Sequence, residues 1–225
     1  MFATQGWNPN PNPDPDPNPD PNPNPNPNPF PDPDQVYEHC VFPASGARHL
    51  PLAQAEGMRE RTITVGSGGK LFGLTGWRVA WAYGPAALVG PLAASHTHLT
   101  FSAPTPLQAG IAAALRVEDG LADTAPLFGA NFEQLARSLR ENTPVGSICK
   151  AEGGYFLVAE TDGRSDLDFC QALAEAKGVV ATPMNPFYAT PFAEDDPCRL
   201  VRLTVCKSRE HVERACDALS GGGAV

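Results

Sequence analysis

From Asn8 to Asp34 every second residue is proline, alternating with Asn or Asp and once with Phe30. Proline lacks a backbone N–H and pushes the residue before it out of the α region, so this run can join neither a helix nor a sheet. Extended polyproline II or disorder is expected there, at ~3 Å per residue where extended. The repeat holds 13 of the chain's 25 prolines, so the remainder has an ordinary globular make-up rich in Ala, Leu, Val and Gly. Within 225 residues that leaves one sizeable domain or two small ones. The repeat itself reads as a spacer, as a ligand for a proline-binding domain, or as an expanded dipeptide without a role.

Charge narrows the class. The net charge of -9, part of it from the repeat's aspartates, offers no basic stripe for nucleic acid. Six cysteines (Cys40, Cys149, Cys170, Cys198, Cys206 and Cys216) lack CxxC spacing, which points to neither a zinc site nor a small disulfide scaffold. No apolar run reaches the ~18 residues of a membrane span, and residues 1–7 resemble no signal or transit peptide. Reduced thiols, no metal and a cytoplasmic location are the expectations, an organellar one remaining open.

Chemistry concentrates between Ser67 and Tyr83. Lys70 lies among glycines, three residues after Ser67 and eight before Arg78, and Leu, Phe and Trp carry the chain onward. Partial desolvation of such an amine favours its neutral, nucleophilic form. Ser67 and Arg78 suit one phosphate, by a hydroxyl hydrogen bond and a forked, charge-assisted pair. A lysine able to form a Schiff base beside a phosphate cradle suggests pyridoxal 5′-phosphate (PLP). The same residues also read as a solvated glycine loop ahead of a buried strand.

The coarse element order is alternating. Strands are expected at Arg61–Val65 and Trp77–Tyr83, a helix from Pro85, and another from Thr105 to Leu115 with Pro106 in its first turn. Phe132, Leu135, Ala136 and Leu139 mark one face of a helix over Phe128–Glu141. A strand follows Gly153-Gly154, and Ser165 caps a helix to Ala176 with Asp168 at the capping-box position. Val179–Thr182 and Leu200–Cys206 read as strands, and Ser208 caps a last helix to Leu219. The expected class is α/β, with a smaller α+β C-terminal part.

In that order the motifs resemble a family. They are Asp34-Gln-Val-Tyr-Glu-His, Gly57-Met-Arg-Glu-Arg-Thr-Ile-Thr-Val-Gly-Ser-Gly-Gly-Lys-Leu-Phe and Thr75-Gly-Trp-Arg-Val-Ala-Trp-Ala-Tyr-Gly-Pro. Thr105-Pro-Leu-Gln, Gly153-Gly-Tyr-Phe-Leu-Val, Pro186-Phe-Tyr and Val201-Arg-Leu with Cys206-Lys207 follow. Together they resemble the class I/II aminotransferases of PLP fold type I, most of all the kynurenine aminotransferase, glutamine transaminase K and methionine aminotransferase branch. The resemblance implies transfer of an amino group from an amino acid to a 2-oxo acid, with PLP as cofactor. It implies Lys70 as covalent anchor and proton carrier and Asp34 at the pyridine nitrogen. Tyr37 would serve the ring's 3-oxygen, Ser67 and Arg78 the phosphate, and Arg202 the substrate α-carboxylate. A homodimer is implied as well.

The resemblance covers Asp34 to about Leu219 and only the later half of the family pattern. The N-terminal arm, the glycine/serine helix start of the phosphate cup, the ring-stacking aromatic and the Asn-Pro-x-x-Pro-x-Gly segment have no counterpart. The implied domains are the repeat at 1–33, a partial PLP-binding large domain at 34–104, and a linking helix with the small domain at 105–225. Apolar faces and strand edges of the partial domain would be uncovered. An inactive fragment acting as a binding partner is therefore the alternative. Duller readings stay open for single residues: Asp34 as the last repeat unit, Tyr37 as a strand aromatic, Arg202 as an edge residue. Tyr155 and Phe187 read either as substrate-pocket lining or as core, and His96 and His98 have no implied role.

Overall fold

A computed structural model of the chain describes residues 36–117, 124–190, 192–193, 195–221, 223 and 225. The Asn/Asp-Pro repeat and Asp34 lie outside the described residues. Two compact units form, one from 36–38 and 49–117, the other from 39–48 and 124–225.

The first unit is built on a hairpin. Strand β1 (Thr64–Ser67) pairs antiparallel with β2 (Ala80–Tyr83), Thr64 opposite Tyr83 and Ser67 opposite Ala80. Both strands start later than the sequence suggests, because 3-10 turns claim the donors. Arg61 N–H closes on Met58 O at 3.0 Å, and Trp77 N–H on Leu74 O at 3.0 Å. Between the strands comes a one-turn helix, α1 (Gly68–Leu71). Helix α2 (Ala86–Leu99) follows Pro85, and α3 (Thr105–Ala114) carries Pro106 in its first turn. Ile111 of α3 is buried over Gly68, where a Cβ would lie 2.5 Å from its Cδ1. Gly110 meets the Trp77 indole in the same way. These contacts hold α3 in the first unit.

The second unit layers three helices on one face of an antiparallel sheet. Its elements are α4 (Ala125–Asn142), β3 (Phe156–Glu160), α5 (Asp166–Lys177), β4 (Thr182–Pro183), β5 (Leu200–Thr204) and α6 (Arg209–Ser220). Strand order is β3-β5-β4, with Val158 and Thr182 flanking Arg202. Leu157, Ala159, Val201, Leu203 and Val205 point to the core, where Phe128, Phe132, Leu135 and Leu139 of α4 meet Phe169, Leu173, Val212 and Leu219. Ser165 and Ser208 cap α5 and α6 as expected, each accepting a backbone N–H three residues on. Strand β4 is shorter and later than Val179–Thr182, since Pro183 offers no donor to extend the ladder. The segment 39–48 belongs here: Phe42 N–H donates to Glu152 O at 2.8 Å, and its ring lies 5.7 Å from that of Phe132.

Asn131 pins the end of β5. Its side chain, 1% exposed, donates to the carbonyls of Val205 at 2.9 Å and Lys207 at 2.8 Å. Asn131→Ala leaves two carbonyls without their donor, and we expect a loss of about 1–3 kcal/mol in urea unfolding. An unchanged midpoint would refute that role. Among the described residues no helix is long and apolar enough to cross a membrane.

Candidate functional site

Lys70 occupies the third position of α1, a placement the glycines explain. Gly68 and Gly69 are buried, and a Cβ on Gly69 would sit 3.2 Å from Thr75 Cα. Ser67 is the N-cap, its hydroxyl oxygen accepting Gly69 N–H at 3.2 Å. Thr75 Oγ1 donates to Gly69 O at 3.2 Å and ties the turn to the next. The expected loop is therefore a short helix braced from both sides. Lys70 is half-buried, and its Nζ lies 5.4 Å from the centroid of the Tyr37 ring.

Arg78 stands at the same end of the hairpin as Ser67, since Gly68 N–H donates to Val79 O at 3.1 Å. Its backbone is left-handed (φ 55), its side chain exposed, and its Nη1 reaches Thr75 O at 3.5 Å. Non-glycine residues adopt this conformation uncommonly. The first unit thus gathers an amine, a phenol, a hydroxyl and a guanidinium, donors suited to a carbonyl compound that also carries a phosphate.

Arg202 lies in the second unit, on the sheet face opposite the core. It is half-buried, with Cζ 4.1 Å from the Phe156 ring centroid and 4.3 Å from that of Phe187. Both distances are those of a cation over an aromatic ring, and a guanidinium so seated is a group able to take a carboxylate bidentately. Phe187 is thus a partner of the arginine, while Tyr155 packs edge-on to Phe128 at 5.2 Å against the core. His96 sits in the last turn of α2 with a ring nitrogen 2.9 Å from Thr100 Oγ1, and His98 is exposed in the same turn.

The sequence reading overlooked Asp166. It is 4% exposed; its Oδ1 accepts Leu167 N–H at 2.9 Å, its Oδ2 accepts Asn185 N–H at 2.7 Å, and its own N–H donates to Cys198 O at 2.7 Å. Burial pushes the Cys198 thiol up, and the carboxylate's charge and hydrogen bond add to this. Burial with the same charge raises Cys170 to about 11. Asp166, Phe169, Cys170 and Leu173 follow helical spacing, so an aspartate in an apolar stripe was the available signal.

The pattern of the aminotransferase class I and II family matches residues 33–219. The chain belongs to the class I and II aminotransferases. It is 39% identical over 196 residues to a probable N-succinyldiaminopimelate aminotransferase of Mycobacterium tuberculosis, covering 83% of this chain and 48% of that protein. The methionine aminotransferase of Escherichia coli is 34% identical over 189 residues, with 82% and 47% covered. Kynurenine–oxoglutarate transaminase of Dictyostelium discoideum is 32% identical over 207 residues, with 82% and 46% covered. The solved M. tuberculosis N-succinyldiaminopimelate aminotransferase superposes with a TM-score of 0.72 at 40% identity, over 83% of this chain and 48% of that one. The expected fold class holds: a partial large domain of PLP fold type I followed by an α+β part. This aminotransferase chain spans about half the length of the curated relatives it matches.

Proposed function

We propose that the chain carries the lysine-bearing part of a PLP-dependent aminotransferase acting on amino acids of the kynurenine, glutamine, methionine or aromatic type and on 2-oxo acids. The placement of the Lys70 amine 5.4 Å from the Tyr37 ring, on a turn of buried glycines, carries the reading. The donors fit PLP: amine for its aldehyde, phenol for its ring oxygen, hydroxyl and guanidinium for its phosphate. PLP, when bound, supplies an electron sink for charge at the substrate Cα. Lys70 would anchor the cofactor through its amine and, with that amine free, would carry the proton between the substrate Cα and the cofactor's C4′. Ser67 uses a lone pair on Gly69 N–H and keeps its own proton to donate to the phosphate. Arg78 adds charge there, and Arg202 grips the α-carboxylate. Asp34 serves the pyridine nitrogen and keeps it protonated. Residues 34–104 then stand for the large domain, 105–225 for the linking helix and small domain, and two copies pair as a homodimer.

The test is chemical. PLP is added to the 225-residue chain, reduced with borohydride, and the fixed mass mapped among its four lysines, Lys70, Lys150, Lys177 and Lys207. Selective labelling of Lys70 supports the reading, and equal labelling of all four sinks it. Binding is expected to be weak and turnover near background, because a lone hairpin braces the turn.

A second reading, binding without turnover, rests on α2. None of its residues is buried; Leu99 at its end and Phe101 just beyond it are 81% and 77% exposed. Sedimentation should then show association that weakens in Leu99→Ser with Phe101→Ser, while a strictly monomeric chain would rule this reading out.

A further inference from the structure

Phe187 is 54% exposed, so burial does not hold its ring over Arg202. Its backbone does. Phe187 ends a 3-10 turn (Asn185–Phe187) closed by its N–H on Met184 O at 3.0 Å. The start of that turn is fixed by Asn185 N–H donating to the buried Asp166 Oδ2 at 2.7 Å. Asn185 Oδ1 in turn accepts Phe192 N–H at 3.2 Å. A carboxylate in an apolar helix stripe is costly unless its hydrogen bonds do something a hydrophobe cannot. Here they anchor the segment bearing one of the two rings that orient the guanidinium.

We propose that Asp166 is a positioning residue for substrate recognition. By anchoring the Asn185–Phe187 turn, it sets the aromatic clamp that holds the Arg202 fork in plane for a carboxylate. The inference rests on the reading of Arg202 as the carboxylate binder. Packing in the α5 stripe alone would not require Asp166, since its neighbours Phe169, Cys170 and Leu173 are themselves buried there.

The experiment uses the full chain with 15N-labelled arginine, the Arg202 Nε–H signal being identified by its loss in Arg202→Lys. Ring currents from Phe156 and Phe187 displace that signal, and Phe187→Leu removes one of them. Asp166→Ala is expected to move it in the same sense and by a comparable amount, and to add little in the double variant. Affinity for 2-oxoglutarate should fall about three- to tenfold with either change. Asp166→Asn keeps an accepting oxygen and should recover most of the displacement. Asp166→Leu fills the stripe without an acceptor for Asn185 N–H and serves if Asp166→Ala does not fold. A wild-type Arg202 signal in Asp166→Ala or Asp166→Leu, or shifts that add fully in the double variant, overturns the proposal. Failure of the underlying reading looks different: 2-oxoglutarate binding would be indifferent to Arg202→Lys, while the signal would still answer for the clamp.

Discussion

Lys70→Ala is expected to reduce borohydride-fixed PLP to background while leaving the far-UV spectrum unchanged. In the proposed site the Lys70 amine bonds the cofactor, and no other lysine belongs to the first unit. Lys177 donates to Gly221 O at 2.8 Å and Lys150 pairs with Glu152 at 3.1 Å, both in the other unit. Any turnover measured above background with wild type should disappear, since the positioned proton carrier is lost. Lys70→Arg should fail equally, since a guanidinium stays charged and forms no Schiff base. Label retained in Lys70→Ala would place the reactive amine elsewhere and undo the site. Lys177→Ala is the control and should label as wild type does.

Phe169→Ala should cost the second unit about 3–5 kcal/mol, as large-to-small changes at fully enclosed aromatics do. The ring is 0% exposed, packs in the cluster formed by α4, α5, α6 and the sheet, and carries the Arg164 guanidinium 5.2 Å from its centroid. Truncation opens a cavity and removes that cation's seat together. Urea unfolding should show a large drop in midpoint with the slope kept. Leu167→Ala, two residues away and 53% exposed, should stay within about 0.5 kcal/mol. Equal losses at the two positions would mean that α5 is packed the other way round.

The second unit was the more legible of the two. Phe132, Leu135, Ala136 and Leu139 announced the buried face of α4 through spacing alone, and Ser165 and Ser208 marked two helix starts. Period and caps are local, and a sequence states them directly. What stayed hidden depends on which partner each donor and acceptor finally takes. The start of β1 was misplaced because Arg61 N–H is spent on Met58 O. Lys70 was expected in a loop because a run of glycines argues against helix, yet Ser67 and Thr75 brace one turn of it. The clamp on Arg202 joins Phe156, Asp166, Asn185 and Phe187, and nothing in the spacing of those four foretells that they meet. Motif order carried the family, and geometry was needed for the rest.

The second unit is discontinuous, and this sets an order of events for the growing chain. Residues 39–48 leave the ribosome early, yet Cys40 O accepts Gly154 N–H and Phe42 N–H donates to Glu152 O, each at 2.8 Å. Those partners are translated more than a hundred residues later. Closing so long a loop costs entropy that is regained only once α4 and β3 exist to receive the segment. During synthesis Phe42 must therefore wait exposed, exchanging its native seat for whatever chaperone or solvent contact is at hand, until the α4 face emerges.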